Sequence, residues 1–182
     1  MIVEEPWSAL AAYATVPIAF TVRSVLDIAE DGALIERPVE PYVKDYDALP
    51  GEAPTAWPAH FDLARWGLLG AHDDGRRVGG AAVAFHTPGV HMLEGRRDLA
   101  VVWDLRVAPD ARGRGVGAEL FAAAEAWARA RGCRELKVET QNVNVPACRF
   151  YARQGCTLTE ARRGAYPTLP HEIQMIWRKP LL

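Results

Sequence analysis

Cysteine is scarce in this chain. Only Cys133, Cys148 and Cys156 occur, and no Cys-x-x-Cys spacing is present. An odd number without that spacing argues against a disulfide framework and for a reducing compartment, so a cytoplasmic location is expected. The five histidines form no His-x-His or His-x-x-x-His pair. A zinc centre needs clustered nitrogen or sulfur ligands, so no metal is expected. No apolar run reaches the ~18 residues of a membrane span, and the apolar stretch Ala9–Phe20 is broken by Pro17. Glu4 and Glu5 stand where a secretory leader would carry Lys or Arg. There is no basic run with interleaved aromatics, which argues against nucleic acid as a partner. The P-loop pattern Gly-x-x-x-x-Gly-Lys-Ser/Thr is also missing, as is any repeat of 20–50 residues.

What is present is ordinary in bulk and uneven in detail. The 182 residues are 49% hydrophobic and 24% charged, enough for one domain with a real core. Residues 1–75 hold 13 acids and 4 bases, whereas residues 76–182 hold 10 acids and 17 bases. Such an asymmetry is either an accident of a solvated surface or a division of labour. In the second case the basic half receives an anion and the acidic half attracts a cation.

Along the chain, Ile18–Ile28 reads as a strand, Asp31-Gly32 as a turn, and Ala33–Val39 as a returning strand. Residues 41–60 contain Pro41, Pro50, Pro54 and Pro58 and read as a surface loop or short helix. Arg65–Ala71 and Val78–Phe85 are strand candidates, with Gly79 and Gly80 marking a bulge or close backbone approach. Leu99–Val107 is the strongest strand. Strict alternation puts Val101, Trp103, Leu105 and Val107 on one face and Val102, Asp104 and Arg106 on the other. A helix follows over about Val116–Arg131, with Gly132 as its stop, then a strand at Leu136–Thr140. This β-α-β order favours a parallel pairing. A second helix is expected over Val145–Gln154, with Pro146 in its first turn and Gly155 after it. Cys156–Thr159 and Glu172–Trp177 read as the last strands, joined through a loop bearing Tyr166.

The most informative stretch is Arg112-Gly113-Arg114-Gly115-Val116-Gly117, between the strongest strand and the longest helix. A glycine-rich turn at a helix start offers backbone N–H groups that have no intrahelical acceptor, at the positive end of the helix dipole. That is a place for phosphate.

With its neighbours, the turn resembles the GNAT family of acetyl-CoA-dependent N-acetyltransferases. Leu105-Arg106-Val107-Ala108-Pro109 is similar to the family's Leu-x-Val-x-Pro strand end, and Arg112–Gly117 to its Arg/Gln-x-x-Gly-x-Gly/Ala turn. Asn144, Ala147, Phe150, Tyr151 and Gly155 match the later Asn-x-x-Ala-x-x-aromatic-Tyr motif and its closing glycine, with Cys156 in place of Phe. A narrower likeness is to the streptothricin acetyltransferase branch. It is carried by Leu136–Asn144, by Ala147-Cys148-Arg149-Phe150-Tyr151 and by Pro41-Tyr42-Val43-Lys44-Asp45-Tyr46. The Tyr166–His171 loop also looks like that of ribosomal-protein N-terminal acetyltransferases.

The resemblance implies an α/β acyl-CoA N-acyltransferase fold. Its central mixed sheet has six or seven strands, is splayed between Val107 and Thr140 and is flanked by helices. It implies one domain over 1–182, with residues 1–97 on the substrate side and 98–182 as the acetyl-CoA core. Acetyl-CoA is the expected cosubstrate and a small cationic amine, as in antibiotic resistance, the expected acceptor. A homodimer is common in such proteins. A peptide N-terminal acetyltransferase, or an acyl-CoA-binding regulator without activity, are the alternatives.

Residue by residue, the implied cofactor site comprises Leu105, Arg106 and Val107, whose backbone meets the pantetheine arm and the oxyanion. Arg112, Gly113, Arg114, Gly115, Val116, Gly117 and Ala118 hold the pyrophosphate, and Asn144, Ala147 and Tyr151 complete the site. Asn144 also suits a helix N-cap. Tyr151 is the implied acid for the leaving thiolate, since a phenol of pKa ~10 suits that proton; a core tyrosine is the other reading. Two carboxylates compete as base, Glu139 and Asp104, or water serves alone. Tyr42, Tyr46, Tyr166 and Glu172 are candidate walls of the acceptor cleft.

Overall fold

The computed structural model describes residues 1–181. Nine strands and four α-helices follow one another in the order β1 (Ile2–Glu5), α1 (Leu10–Tyr13), β2 (Phe20–Ile28), β3 (Leu34–Lys44), α2 (Trp57–His60), β4 (Gly67–Asp73), β5 (Arg76–Phe85), β6 (Leu99–Val107), α3 (Val116–Ala130), β7 (Glu135–Gln141), α4 (Val145–Arg153), β8 (Thr157–Arg163) and β9 (Ile173–Pro180). Seven strands form one sheet in the order β1-β4-β5-β6-β7-β9-β8, while β2 and β3 pair separately. The expected α/β class is met, and of the expected six or seven strands the sheet has seven. No helix among the described residues is long and apolar enough to cross a membrane.

The chain divides into two compact units. The first holds Met1–Ile18, Asp45–Lys137 and the chain from Pro180; the second holds Ala19–Lys44 and Val138–Lys179.

In the first unit, β1, β4, β5 and β6 run antiparallel, neighbour to neighbour. Helix α3 packs on β4, β5 and β6 through Leu120, Phe121, Ala124, Trp127 and Ala128, a helical stripe that is fully buried. The paired glycines of β5 admit close neighbours, as their sequence suggests. A Cβ at Gly80 would fall 2.6 Å from the Tyr13 ring, and one at Gly79 would fall 2.7 Å from the Arg106 carbonyl oxygen. A cluster of Leu10, Tyr13, Trp57, Trp66, Leu68, Leu93 and Val101 closes the other part of this core.

Strict alternation fails in β6. Asp104 faces Ala82 and Val102 faces Val83, so Trp103 is an extra residue with no partner opposite. This β-bulge turns Trp103 and Asp104 toward the same cluster. Trp103 meets Phe61 and Trp66, and Asp104 meets Tyr13. Arg106, two residues on, follows Asp104 inward and is only 2% exposed. The expectation that Trp103 and Asp104 lie on opposite faces is therefore corrected.

In the second unit, β8 and β9 pair antiparallel and α4 packs on β8 and β2. The hairpin β2–β3 is longer than expected. Residues 41–44 belong to β3 rather than to a loop. Pro38 lies opposite Ser24, and the register then slips before Tyr42 pairs with Val22. Proline is tolerated here because a two-stranded ribbon is all edge, and because the slip absorbs Pro41. Strand β1 was not expected from the sequence.

Candidate active site

In the first unit, β6 ends at Val107 and a short 3-10 turn, Pro109–Ala111, leads to the glycine turn. Gly113 (φ 75°) and Gly115 (φ 88°) are both left-handed, and Gly115 is the N-cap of α3. A Cβ at either would meet nothing within 4 Å, so glycine is required by the backbone angle and not by crowding. No side chain of the N-cap residue caps the helix. The first-turn N–H groups at Val116, Gly117 and Ala118 therefore fit an anion from solvent, as a phosphate would require. Arg112 Nε donates to the Val107 carbonyl at 3.0 Å, tying the turn to the strand, and Arg114 pairs with Asp73 at 3.1 Å.

Behind the strand, Arg106 is enclosed. Nη2 donates to Asp104 Oδ2 at 2.6 Å and Nε to Oδ1 at 2.9 Å. Nη1 reaches Asp47 Oδ2 at 2.8 Å and the Val16 carbonyl at 3.0 Å. The Tyr13 hydroxyl donates to Asp104 as well, and its ring lies under the guanidinium. Burial works against the Arg106 charge, but Asp104 and then Asp47 outweigh it and raise its pKa. Burial, then the charge of Asp104, pushes the Tyr13 phenol well above its ordinary value. Of the predicted residues, Asp104 and Arg106 are thus joined to each other, and their side chains are turned into the core. Tyr46 lies in this unit, half-buried, its carbonyl accepting the Leu49 N–H.

In the second unit, Glu139 is the centre of a different cluster. The Tyr166 hydroxyl donates to its Oε1 at 2.5 Å, and Gln174 Nε2 donates to its Oε2 at 2.8 Å. Gln141 Nε2 donates to the Tyr166 oxygen at 2.9 Å and lies 3.5 Å from Oε1. Two predicted residues, Glu139 and Tyr166, are brought together from 27 positions apart. Burial, then the charge of Glu172, raises the phenol of Tyr42, another of the predicted residues. Lys44 closes a buried 2.5 Å ion pair with Glu172. Asn144 caps α4, its side chain accepting the Ala147 N–H at 3.2 Å. Tyr151 is buried on the same helix, edge-on to Phe150.

Sequence reasoning missed Gln141, Gln174, Lys44, Tyr13 and Asp47. Gln141 was within reach, because a two-residue step along a strand returns to the face of Glu139. Lys44 and Gln174 stand two residues from the predicted Tyr42 and Glu172, whereas Tyr13 and Asp47 come from distant segments and leave no local signal.

The fold, with a phosphate-type turn ahead of α3 and a carboxylate held by neutral donors on β7, fits an acyl-CoA-dependent transferase. A family model described as Acetyltransferase (GNAT) family matches residues 32–156. The chain is 32% identical over 166 residues to a streptothricin acetyltransferase of Escherichia coli, covering 87% of this chain and 83% of that one. A solved nourseothricin acetyltransferase superposes with a TM-score of 0.76 at 26% identity, covering 100% and 98%. A Bacillus anthracis protein assigned to the streptothricin acetyltransferases, solved with acetyl coenzyme A, reaches 0.78 at 22% identity, covering 99% and 97%. The chain belongs to the GNAT family and is an N-acetyltransferase.

Proposed function

We propose that the protein moves the acetyl group of acetyl-CoA onto a primary amine of a small cationic molecule of the streptothricin kind. The observation that carries this reading is the likeness to a streptothricin acetyltransferase over 87% of the chain, which takes in acceptor-side segments as well as the cofactor core. The charge division agrees with it: an anionic cosubstrate suits the basic later part and a cationic acceptor the acidic first 75 residues.

In this reading the glycine turn, Arg112–Ala118, holds the pyrophosphate, and the backbone of Leu105–Val107 lines the pantetheine arm. Glu139 takes the proton of the attacking ammonium, directly or through water. The free amine attacks the thioester carbonyl, and the tetrahedral intermediate collapses by breaking the C–S bond, its nitrogen giving up a second proton, which through solvent restores the Tyr151 phenol. Tyr151 supplies the proton that leaves with the sulfur. Asp104 is the weaker base, because its oxygens are already committed to Arg106 and Tyr13. Tyr42, Tyr166 and Glu172 contribute to the acceptor side.

We also propose a cytoplasmic location, supported by the odd number of cysteines and the lack of any Cys-x-x-Cys spacing. A homodimer is supported by the family resemblance alone.

The test is CoA-thiol release, with the acetylated product identified by mass spectrometry. The panel is streptothricin, aminoglycosides, polyamines and a peptide with a free N-terminus. Turnover is expected on streptothricin or a similar small amine. Acetylation of the peptide but of no small amine would overturn the assignment.

A further inference from the structure

Both oxygens of Glu139 are occupied by neutral donors, and the donors are themselves ordered. A phenol carries one proton. Since the Tyr166 oxygen accepts from Gln141, that proton is directed at Glu139 Oε1. At Oε2 the Gln174 amide must present its NH2, because the reverse orientation would set a carbonyl oxygen against a carboxylate.

The segments that carry these donors are fastened within the same unit. The Asn142 side chain accepts the Ile173 N–H at 2.8 Å and donates to the Leu26 carbonyl at 2.9 Å. The Lys44–Glu172 pair holds the residue just before β9. Gln174 therefore leaves a strand start that is tied down from both sides.

We propose that Gln174 and Gln141 are positioning residues for acetyl transfer. Gln174 fixes the plane of the Glu139 carboxylate directly, and Gln141 does so by setting the Tyr166 hydroxyl. This rests on the reading of Glu139 as the group that takes the amine proton. The physical advantage is specific to a cationic acceptor. A lysine or arginine would hold the carboxylate equally well but would cancel its charge and repel an ammonium. Amides and a phenol fix the geometry and leave the negative charge for the substrate.

The experiment is a double-mutant cycle with streptothricin and acetyl-CoA. It compares wild type, Glu139→Gln, Gln174→Leu and the double variant, with Gln141→Leu alongside, and circular dichroism confirms the fold of each. Glu139→Gln is expected to lower kcat by ~10²–10³-fold. Gln174→Leu is expected to lower it by about tenfold or more, with the KM for acetyl-CoA unchanged. Gln174→Leu should cost nothing further in the Glu139→Gln background, because it acts through Glu139. Gln141→Leu should show the same pattern more weakly.

Gln174→Glu keeps the size of the side chain but sets two carboxylates against each other, so they share a proton. The acid limb of its kcat profile should move up by about one pH unit or more. An equal kcat loss from Gln174→Leu in both backgrounds, or wild-type kcat in Gln174→Leu beside an impaired Glu139→Gln, overturns the positioning role. Wild-type kcat in Glu139→Gln overturns the base assignment itself and the proposal with it. That single measurement tells the two failures apart.

Discussion

Asp104 and Glu139 are both strand carboxylates that accept a hydrogen bond from a tyrosine, yet their surroundings divide them. Asp104 is locked to a guanidinium that is itself fully enclosed, with Asp47 on its far side. Its charge is consumed inside the fold. Glu139 has a phenol and two carboxamides as its partners among the described residues, and it is half-buried. Its geometry is fixed while its charge is left uncancelled. The first arrangement holds a strand in place; the second offers a negative group to a cation. The chemical type of the partner, and not the presence of a carboxylate on a strand, separates an acid whose charge is cancelled from one whose charge is kept, and the proposed base is the second.

Asp104→Asn should break this contrast if it is false, and it carries the largest expected effect. It leaves the buried Arg106 charge answered by Asp47 alone, at a cost of ~3–5 kcal/mol in urea unfolding. The folded fraction should keep kcat within a few-fold. An Asp104→Asn protein of wild-type stability that no longer turns over would move the catalytic role to the first unit.

Gly115→Ala sharpens the comparison on the cofactor side. Forcing a Cβ to φ 88° should cost about 1–2 kcal/mol and raise the KM for acetyl-CoA, while kcat at saturation holds. A fall in kcat with KM unchanged would remove the turn from cofactor binding.

The smallest effect is an acid-pair test at Glu5, at the far edge of the first unit. Burial pushes its carboxyl up, but hydrogen bonds from Arg77 and His72 outweigh it and leave the group below its ordinary value of 4.5. A depressed pKa stabilises the fold above that value and is lost as pH falls through the folded pKa. The gap in urea midpoint between wild type and Glu5→Gln should therefore be open at neutral pH and close below about pH 4.5. A gap that persists in acid would show that Glu5 acts through packing over Gly70, where a Cβ would strike its carboxylate.

Much of this was legible in the residues. The strand Leu99–Val107 has the bounds its pattern suggests, and α3 begins at Val116 behind two glycines whose angles only glycine adopts readily. Asn144 caps α4 as its type and place require. Three things were hidden, each for a physical reason. A β-bulge changes which face a residue takes without changing which residues are apolar, so Trp103 concealed the inward turn of Asp104 and Arg106. Proline signals a loop unless the strand is an edge, and that is a property of the sheet; hence β3 was cut short at Val39. The donors around Glu139 lie 2, 27 and 35 positions away, and only the first of these distances is local.

By itself the sequence determined the class of protein. A glycine turn between a strand and a long helix, followed by an Asn-to-Tyr motif on a second helix, is local chemistry, because backbone angle, helix start and capping depend on neighbours in the chain. The tertiary structure decided how each carboxylate is partnered. That depends on what lies across space from each one, a buried arginine beside Asp104 and a tyrosine with two glutamines beside Glu139.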